Sequence, residues 1–393
     1  MNSDWTTCKI GDICTKICSG GTPKSNEPSY YGGNIPWLNT KEINFNRIYN
    51  TEKYITSSGL NNSSAKWIDA NSVIVAMYGA TAAKVSINTI PLTTNQACCN
   101  LTIDETIADY RYVYYYLCRN YQHLALLANG GAQQNLNAQQ IKDFNIILPQ
   151  LPIQHKIANI LWTIDDKIEL NRRINDNLEE QAKALFKSWF VDSQNNDWKK
   201  IRLEEILGIG KTSIIPAQSP DTIFEHYSLP AFDNGTRPVY EKGCAIKSSK
   251  FYIQKNMFLF SKLNPRIKRI WFPNIQTKKA ICSTEFIPYR PKDASLLGFC
   301  YSIVNSEAFY EYVLSLTNGS TGSHQRFHPI ATLDYSLKIP DKDIIKKFES
   351  IVKSLYELIA KNRTENERLA SLRDTLLPKL MSGELSIEEV SFD

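Results

Sequence analysis

The sequence predicts an α+β fold: two tandem mixed α/β modules joined by two long helices that pair as an antiparallel coiled coil with a pseudo-two-fold repeat. Three observations predict it. The chain of 393 residues repeats itself at a period near 190. Two segments free of internal glycine and proline carry apolar residues every 3.5 positions. Between them lie short apolar runs bounded by turn residues, which read as strands.

The repeat is seen in Asp4-Trp5, Lys9-Ile10 and Asp12-Ile13, which recur 193 residues later as Asp197-Trp198, Arg202-Leu203 and Glu205-Ile206. At an offset of 191, Gly131-Ala-Gln-Gln-Asn-Leu136 matches Gly322-Ser-His-Gln-Arg-Phe327, and Phe144–Pro149 matches Tyr335–Pro340. A period this long is the duplication of a whole module rather than a solenoid. The expected organisation is a first module over 1–150, a helix over 151–192, a second module over 193–340, and a helix with a tail over 341–385.

In the first module, Ser72–Tyr78 is a short apolar run and Tyr110–Leu117 has helical character. Ser19–Lys24 and Tyr30–Trp37 are rich in Gly-Gly and Thr-Pro steps, which make loops. The first helix is expected to place Ile153, Ile157, Ile160, Ile164, Lys167, Asn171, Ile174, Leu178, Gln181 and Leu185 on one seam. In the second module, Asn256–Phe260 reads as strand and Ser306–Leu316 as helix. The second helix repeats the seam as Ile344, Phe348, Ile351, Leu355, Leu358, Asn362, Glu365, Leu369, Leu372 and Leu376, with Pro378 beyond it. Asn171 and Asn362 fall at equivalent positions, where a buried amide fixes register. About 37 residues at 1.5 Å per residue predict a rod of roughly 55 Å.

Charge distribution points to a polyanionic partner. The net charge is only +5, yet residues 237–292 hold 13 Lys/Arg against 2 Asp/Glu, interleaved with aromatic residues. A solvated basic face accounts for short charge runs, but this density within a folded sheet favours nucleic acid. Nine cysteines with no Cys-x-x-Cys predict free thiols rather than a disulfide framework or structural zinc. The N-terminus shows neither a basic nor an apolar leader and no apolar run reaches membrane length, which predicts a cytoplasmic chain without membrane contact.

These residues resemble the specificity subunit of type I restriction-modification enzymes. The resemblance is carried by Gly20-Gly-Thr-Pro-Lys24, Tyr31-Gly-Gly-Asn-Ile-Pro-Trp37, Gly79-Ala-Thr81, Thr94-Asn-Gln-Ala97, Leu151-Pro-Ile-Gln-His-Lys-Ile157 and Leu372–Leu385. It covers essentially the whole chain. It implies two target-recognition domains, each reading one half of a split, asymmetric site in double-stranded DNA. The helices would set the spacer between half-sites and dock two methyltransferase subunits, with restriction/translocase subunits joining them. Exposed helix and chain-end surfaces, including Leu380, Met381 and Leu385, are the expected docking residues. No cofactor is expected on this chain, with S-adenosylmethionine, ATP and magnesium on the partner subunits. The second module lacks the Gly-Gly-Thr-Pro opening and the Gly-Ala-Thr step.

Catalytic patterns are missing. Gly210-Lys-Thr212 resembles the end of a phosphate-binding loop, but the position that needs the first glycine is Glu205. No Asn-Pro-Pro-Tyr or Asp-Pro-Pro-Tyr loop is present to grip a flipped adenine. Asp165-Asp166-Lys167 sits within a helix, where it reads as a solvated face rather than a nuclease centre. No catalytic or metal-binding residue is therefore assigned. An enzyme with unrecognised motifs and a coiled-coil scaffold for protein are the competing readings. A methyl-transfer assay on the purified chain would expose the first, and failure to shift DNA would favour the second.

DNA-contact candidates follow from residue type. Asn and Gln pair with adenine, and Arg and Lys with guanine. The candidates are Thr22, Lys24, Asn39, Lys41, Tyr78, Thr81, Gln133, Gln134 and Asn135 in the first module. In the second they are Lys262, Asn264, Arg266, Lys268, Arg269, Gln325 and Arg326.

Overall fold

Runs of β-branched and aromatic residues between turn residues build the sheets, and a computed structural model describes residues 5–128, 135–317 and 325–385. The chain divides into two units: Met1–Asp166 with Ala370–Asp393, and Lys167–Leu369. The divisions fall inside the two long helices, Leu151–Lys187 and Lys342–Ser382, so each unit owns a part of both.

In the first unit, strands Cys14–Ser19, Cys98–Ile103, Val73–Ala76, Val85–Asn88 and Arg47–Ile48 form a five-stranded sheet in that order. Lys53–Ile55, Tyr31–Leu38, Leu92–Thr94 and Trp67–Ile68 form a second sheet. Val73, Val75, Val85 and Leu101 pack against Tyr112 and Val113 of the helix Tyr110–Arg119. The second unit repeats the core sheet as Leu207–Ile209, Phe286–Pro291, Phe258–Ser261 and Ile270–Trp271, and adds a five-stranded sheet of its own. The helix Glu307–Ser315 forms where helical character is expected.

The duplication extends to hydrogen-bond register. Thr6–Lys9 pairs antiparallel with Asn145–Leu148, Thr6 opposite Leu148. Lys199–Arg202 pairs with Ser336–Ile339 in the same way, Lys199 opposite Ile339. The next amide also repeats: Ile10 N donates to Phe144 O at 2.9 Å, and Leu203 N to Tyr335 O at 2.8 Å. Both pairs are related by the offsets of 193 and 191 seen in the sequence.

Both long helices form, and Pro152 sits in the first turn of one, where no amide partner is needed. A turn of π-helix, Ser188–Asp192, follows Lys187. In the second unit the helix parts run antiparallel, because Asn171 Nδ2 donates to Asn366 Oδ1 and Asn362 Nδ2 donates to Asn175 Oδ1, both at 2.9 Å. The offset of 191 carries Asn171 onto Asn362 and Asn175 onto Asn366. The two amide pairs therefore exchange under a local two-fold. Asn171 and Asn362 are both buried, as a register role requires, but each pairs with another asparagine rather than with its equivalent.

The seam itself needs correction. The buried line of the first helix is Ile157, Leu161, Ile164, Ile168, Asn171, Asn175 and Ala182, and that of the second includes Ile345, Phe348, Val352, Ile359 and Asn362. Four of the ten positions expected in the second helix are exposed instead: Ile344, Ile351, Leu358 and Leu372 are 38%, 41%, 42% and 41% exposed. The cause is adjacency. Ile344-Ile345, Ile351-Val352 and Leu358-Ile359 are neighbouring apolar pairs. Residues about 100° apart on a helix cannot both face one partner, and a 3.5-residue period fits either choice.

The chain end also departs from expectation. The second helix runs through Pro378 to Ser382 and stops at Gly383, whose φ of +71° is left-handed backbone that favours glycine. Leu380 and Met381 are each only 1% exposed and belong to the core of the first unit, with Leu385 packed against it. They are therefore not an exposed docking surface. The repeat supplies the reason: the same offset maps Trp189 and Phe190 onto Leu380 and Met381. Phe190 is buried in the second core, 5.0 Å from Phe299 and 4.8 Å from Phe348 between ring centres. Each helix end thus fills a core in the same way.

The nine cysteines are all free. No group of His, Cys, Asp or Glu among the described residues is arranged to hold a metal ion. No helix among them is long and apolar enough to cross a membrane.

Candidate nucleic-acid interface

The motifs singled out in the first module converge through successive hydrogen bonds, although Tyr31–Leu38, expected as a loop, is a strand. Gly20 and Gly21 pass so close to Thr94 and Ser64 that a Cβ on either would clash with backbone. Gly21 N donates to Thr94 O at 2.8 Å, and Trp37 Nε1 donates to Gly21 O at 2.9 Å. This contact brings the Thr22 hydroxyl onto the Gln96 side chain. Met77 N then donates to Ala97 O at 2.8 Å, and Tyr78 bridges to Asn135. Thr22, Lys24, Gln96, Tyr78 and Asn135 are exposed. Gln96 was not among the sequence candidates, although it lies inside the Thr94–Ala97 motif.

The other candidates in this module have local partners. Asn39 caps its own turn, its Oδ1 accepting from Lys41 N at 3.2 Å. The Lys41 ammonium pairs with Glu52. Thr81 Oγ1 lies 3.4 Å from Tyr78 O. Gln133 and Gln134 lie outside the described residues.

In the second module the basic cluster 262–269 occupies the turn between strands Phe258–Ser261 and Ile270–Trp271. These strands correspond in sheet order to Val73–Ala76 and Val85–Asn88, whose turn carries Tyr78 and Thr81. The two clusters chosen on separate grounds thus occupy one structural position. Each turn is joined to the matching glycine-led loop by an isolated bridge: Tyr78 with Asn135, and Leu263 with Arg326. Asn264 N also donates to Gln325 O at 2.9 Å.

Side chains in this cluster divide by partner. Arg269 is held bidentately by Asp233 at 2.7 and 2.9 Å. Lys268 Nζ donates to Asn305 O at 2.7 Å and pairs with Glu307 at 3.4 Å. Burial pulls the Lys268 ammonium below the usual lysine range, against the opposing pull of Glu307. Both cations hold the module together. Lys262 and Arg266 form no ion pair among the described residues, and Arg266 is exposed. Arg326 pairs with Glu285. Lys262, Arg326, Phe327 and His328 line an open cleft of about 720 Å³ beside the bridge, with Ser315, Leu316, Pro329 and Ala331. A mouth that carries Lys262, Arg326 and His328 suits a nucleic-acid strand.

The Asp165-Asp166-Lys167 group is structural. Asp165 accepts from Tyr115 Oη at 2.6 Å and from Arg373 Nη1 at 2.8 Å. Asp166 pairs with Arg47, whose guanidinium lies 3.5 Å over the Trp162 ring. In the second unit Lys167 pairs loosely with Glu365 at 3.9 Å.

Residues 2–180 match the family model for the type I restriction modification DNA specificity domain. The type I restriction enzyme MjaIX specificity subunit of Methanocaldococcus jannaschii is 28% identical over 98% of this chain and 95% of its own length. The chain is thus similar over nearly its whole length to type I restriction enzyme specificity subunits, and residues 2–180 carry the match to their specificity domain. The HindI specificity subunit of Haemophilus influenzae is 23% identical over 66% of this chain and 72% of its own. Among solved structures, the type I restriction-modification S subunit from M. genitalium has a TM-score of 0.61 at 17% identity and covers 96% of each chain, so the fold is shared. The fold of tandem modules with long helices is thus shared with that S subunit.

Proposed function

We propose that this chain is the DNA-reading, non-catalytic subunit of a type I restriction-modification complex. Each module reads one half of a bipartite, asymmetric site, and the helices set the spacer. The observation that carries the proposal is the duplicated reading edge. One turn and one loop are bridged in each module at equivalent places, yet the bridging residues differ: Tyr78 and Asn135 in one, Leu263 and Arg326 in the other, where Lys262 lines the adjoining cleft. Equivalent positions with different chemistry suit two unlike half-sites.

Two methyltransferase subunits would dock on the helices, with restriction subunits added. S-adenosylmethionine, ATP and magnesium belong to those partners. The exposed stripe Ile344, Ile351 and Leu358 supports a helical docking face better than the buried chain end.

Salt titration tests the interface. Lys262→Ala and Arg266→Ala are each expected to flatten the slope of log affinity against log salt by about one unit, on cognate and scrambled duplexes alike. Lys268→Ala and Arg269→Ala should instead lower the melting temperature, because their partners are Glu307 and Asp233. An unchanged slope for both Lys262 and Arg266 variants would remove phosphate contact from this turn.

A further inference from the structure

One arginine on the cleft is oriented by its own protein. Arg326 Nε lies 3.1 Å from Glu285 Oε2, and Arg326 Nη2 lies 3.0 Å from Glu285 Oε1. This two-point contact occupies one edge of the planar guanidinium and fixes its plane. Glu285 is itself held at the turn between Ala280–Ser283 and Phe286–Pro291: its N–H donates to Ser283 Oγ at 3.2 Å, and its carbonyl accepts from Lys262 N at 2.9 Å. The bridge between Leu263 and Arg326 fixes the backbone as well. The Arg326 side chain remains 52% exposed, against 24% for Glu285.

An exposed ion pair of this kind adds little stability. Its consequence is geometric. With Nε and one Nη2 hydrogen engaged, the donors left are those of Nη1 and the second Nη2 hydrogen, which lie side by side at the tip. Two parallel donors on a fixed plane match the adjacent N7 and O6 acceptors of guanine in the major groove. Phosphate recognition needs no such fixed plane, and Lys262, which forms no ion pair among the described residues, stands beside it for that task.

We propose that Arg326 reads a guanine in the half-site of the second module, and that Glu285 is the positioning residue that aims it. The proposal rests on the DNA-reading function above. At the equivalent place in the first module stands Asn135, whose amide matches adenine instead.

The test selects from a library of randomised double-stranded DNA with the chain assembled with its methyltransferase subunits, sequencing the bound fraction. The wild type should enrich a split motif. Arg326→Ala should lose discrimination at one guanine by roughly tenfold to a hundredfold while other positions hold. Glu285→Ala should weaken preference at that same guanine by a smaller factor. Glu285→Gln, which keeps the size and one acceptor, should fall between Glu285→Ala and wild type. A role in folding alone would lower yield or melting temperature without singling out one base. An Arg326→Ala motif identical to wild type would overturn the assignment, as would a uniform loss over all sequences. A wild type that enriches nothing would overturn the DNA-reading function itself.

Discussion

Ending the chain after Leu377 is expected to unfold the first unit. The cut removes Leu380 and Met381, each 1% exposed in that core, and Leu385 against it. Loss of a fully buried Leu or Met side chain costs about 2–5 kcal/mol, so two cost roughly 4–10 kcal/mol. A domain holds only about 5–15 kcal/mol in total. Urea unfolding followed by tryptophan fluorescence should show the first unit already lost in the truncated chain, since Trp5 packs on the same core. Leu380→Ala alone should cost about 3 kcal/mol. A truncated chain that melts like the full one, and loses only partner binding, would restore the chain end as a docking surface.

Glu349→Ala should cost the second unit about 2–4 kcal/mol, because two buried amides lose their acceptor. Glu349 lies on the second long helix, and its carboxylate accepts from Gly298 N at 2.9 Å and Phe299 N at 2.7 Å, at the start of the helix Leu297–Asn305. Gly298 permits the approach: a Cβ there would meet Val352 Cγ1 at 2.9 Å. Burial pushes the Glu349 carboxyl above the usual range, against the pull of the two amides. The folded state therefore takes up this proton before the unfolded state does. As pH falls from the raised folded value towards the ordinary carboxylate range, this group makes unfolding harder, and above that window it is a burden on stability. Glu349→Gln should remove that pH-dependent component while keeping one acceptor, and urea melts of both variants between neutral and acid pH will separate the effects.

Much of this architecture was legible because the chain states it twice. The offsets of 191 and 193 predicted a duplicated register, and the strand pairs Thr6–Lys9 with Asn145–Leu148 and Lys199–Arg202 with Ser336–Ile339 show it. The same offset held a signal not used in reading the sequence: it equates Leu380-Met381 with Trp189-Phe190, whose aromatic character marks a core. The helix seam was half legible, since Ile351-Val352 and Leu358-Ile359 offer two apolar lines and only packing chooses between them. Lys268 and Arg269 read as phosphate contacts because their partners, Glu307 and Asp233, lie more than 30 residues away and no local pattern links them. Glu285 escaped notice for the same reason: its tie to Arg326 spans 41 residues.

The central claim is that each module reads its own half-site. The most direct measurement is the genome-wide map of methylated sites from cells carrying the assembled complex, wild type against the double variant Tyr78→Ala, Asn135→Ala. These residues form the bridge of the first module only. The account predicts a split motif in which the bases of one half relax while the other half and the gap stay the same. Changes in both halves, or an unbroken motif with no gap, would contradict it.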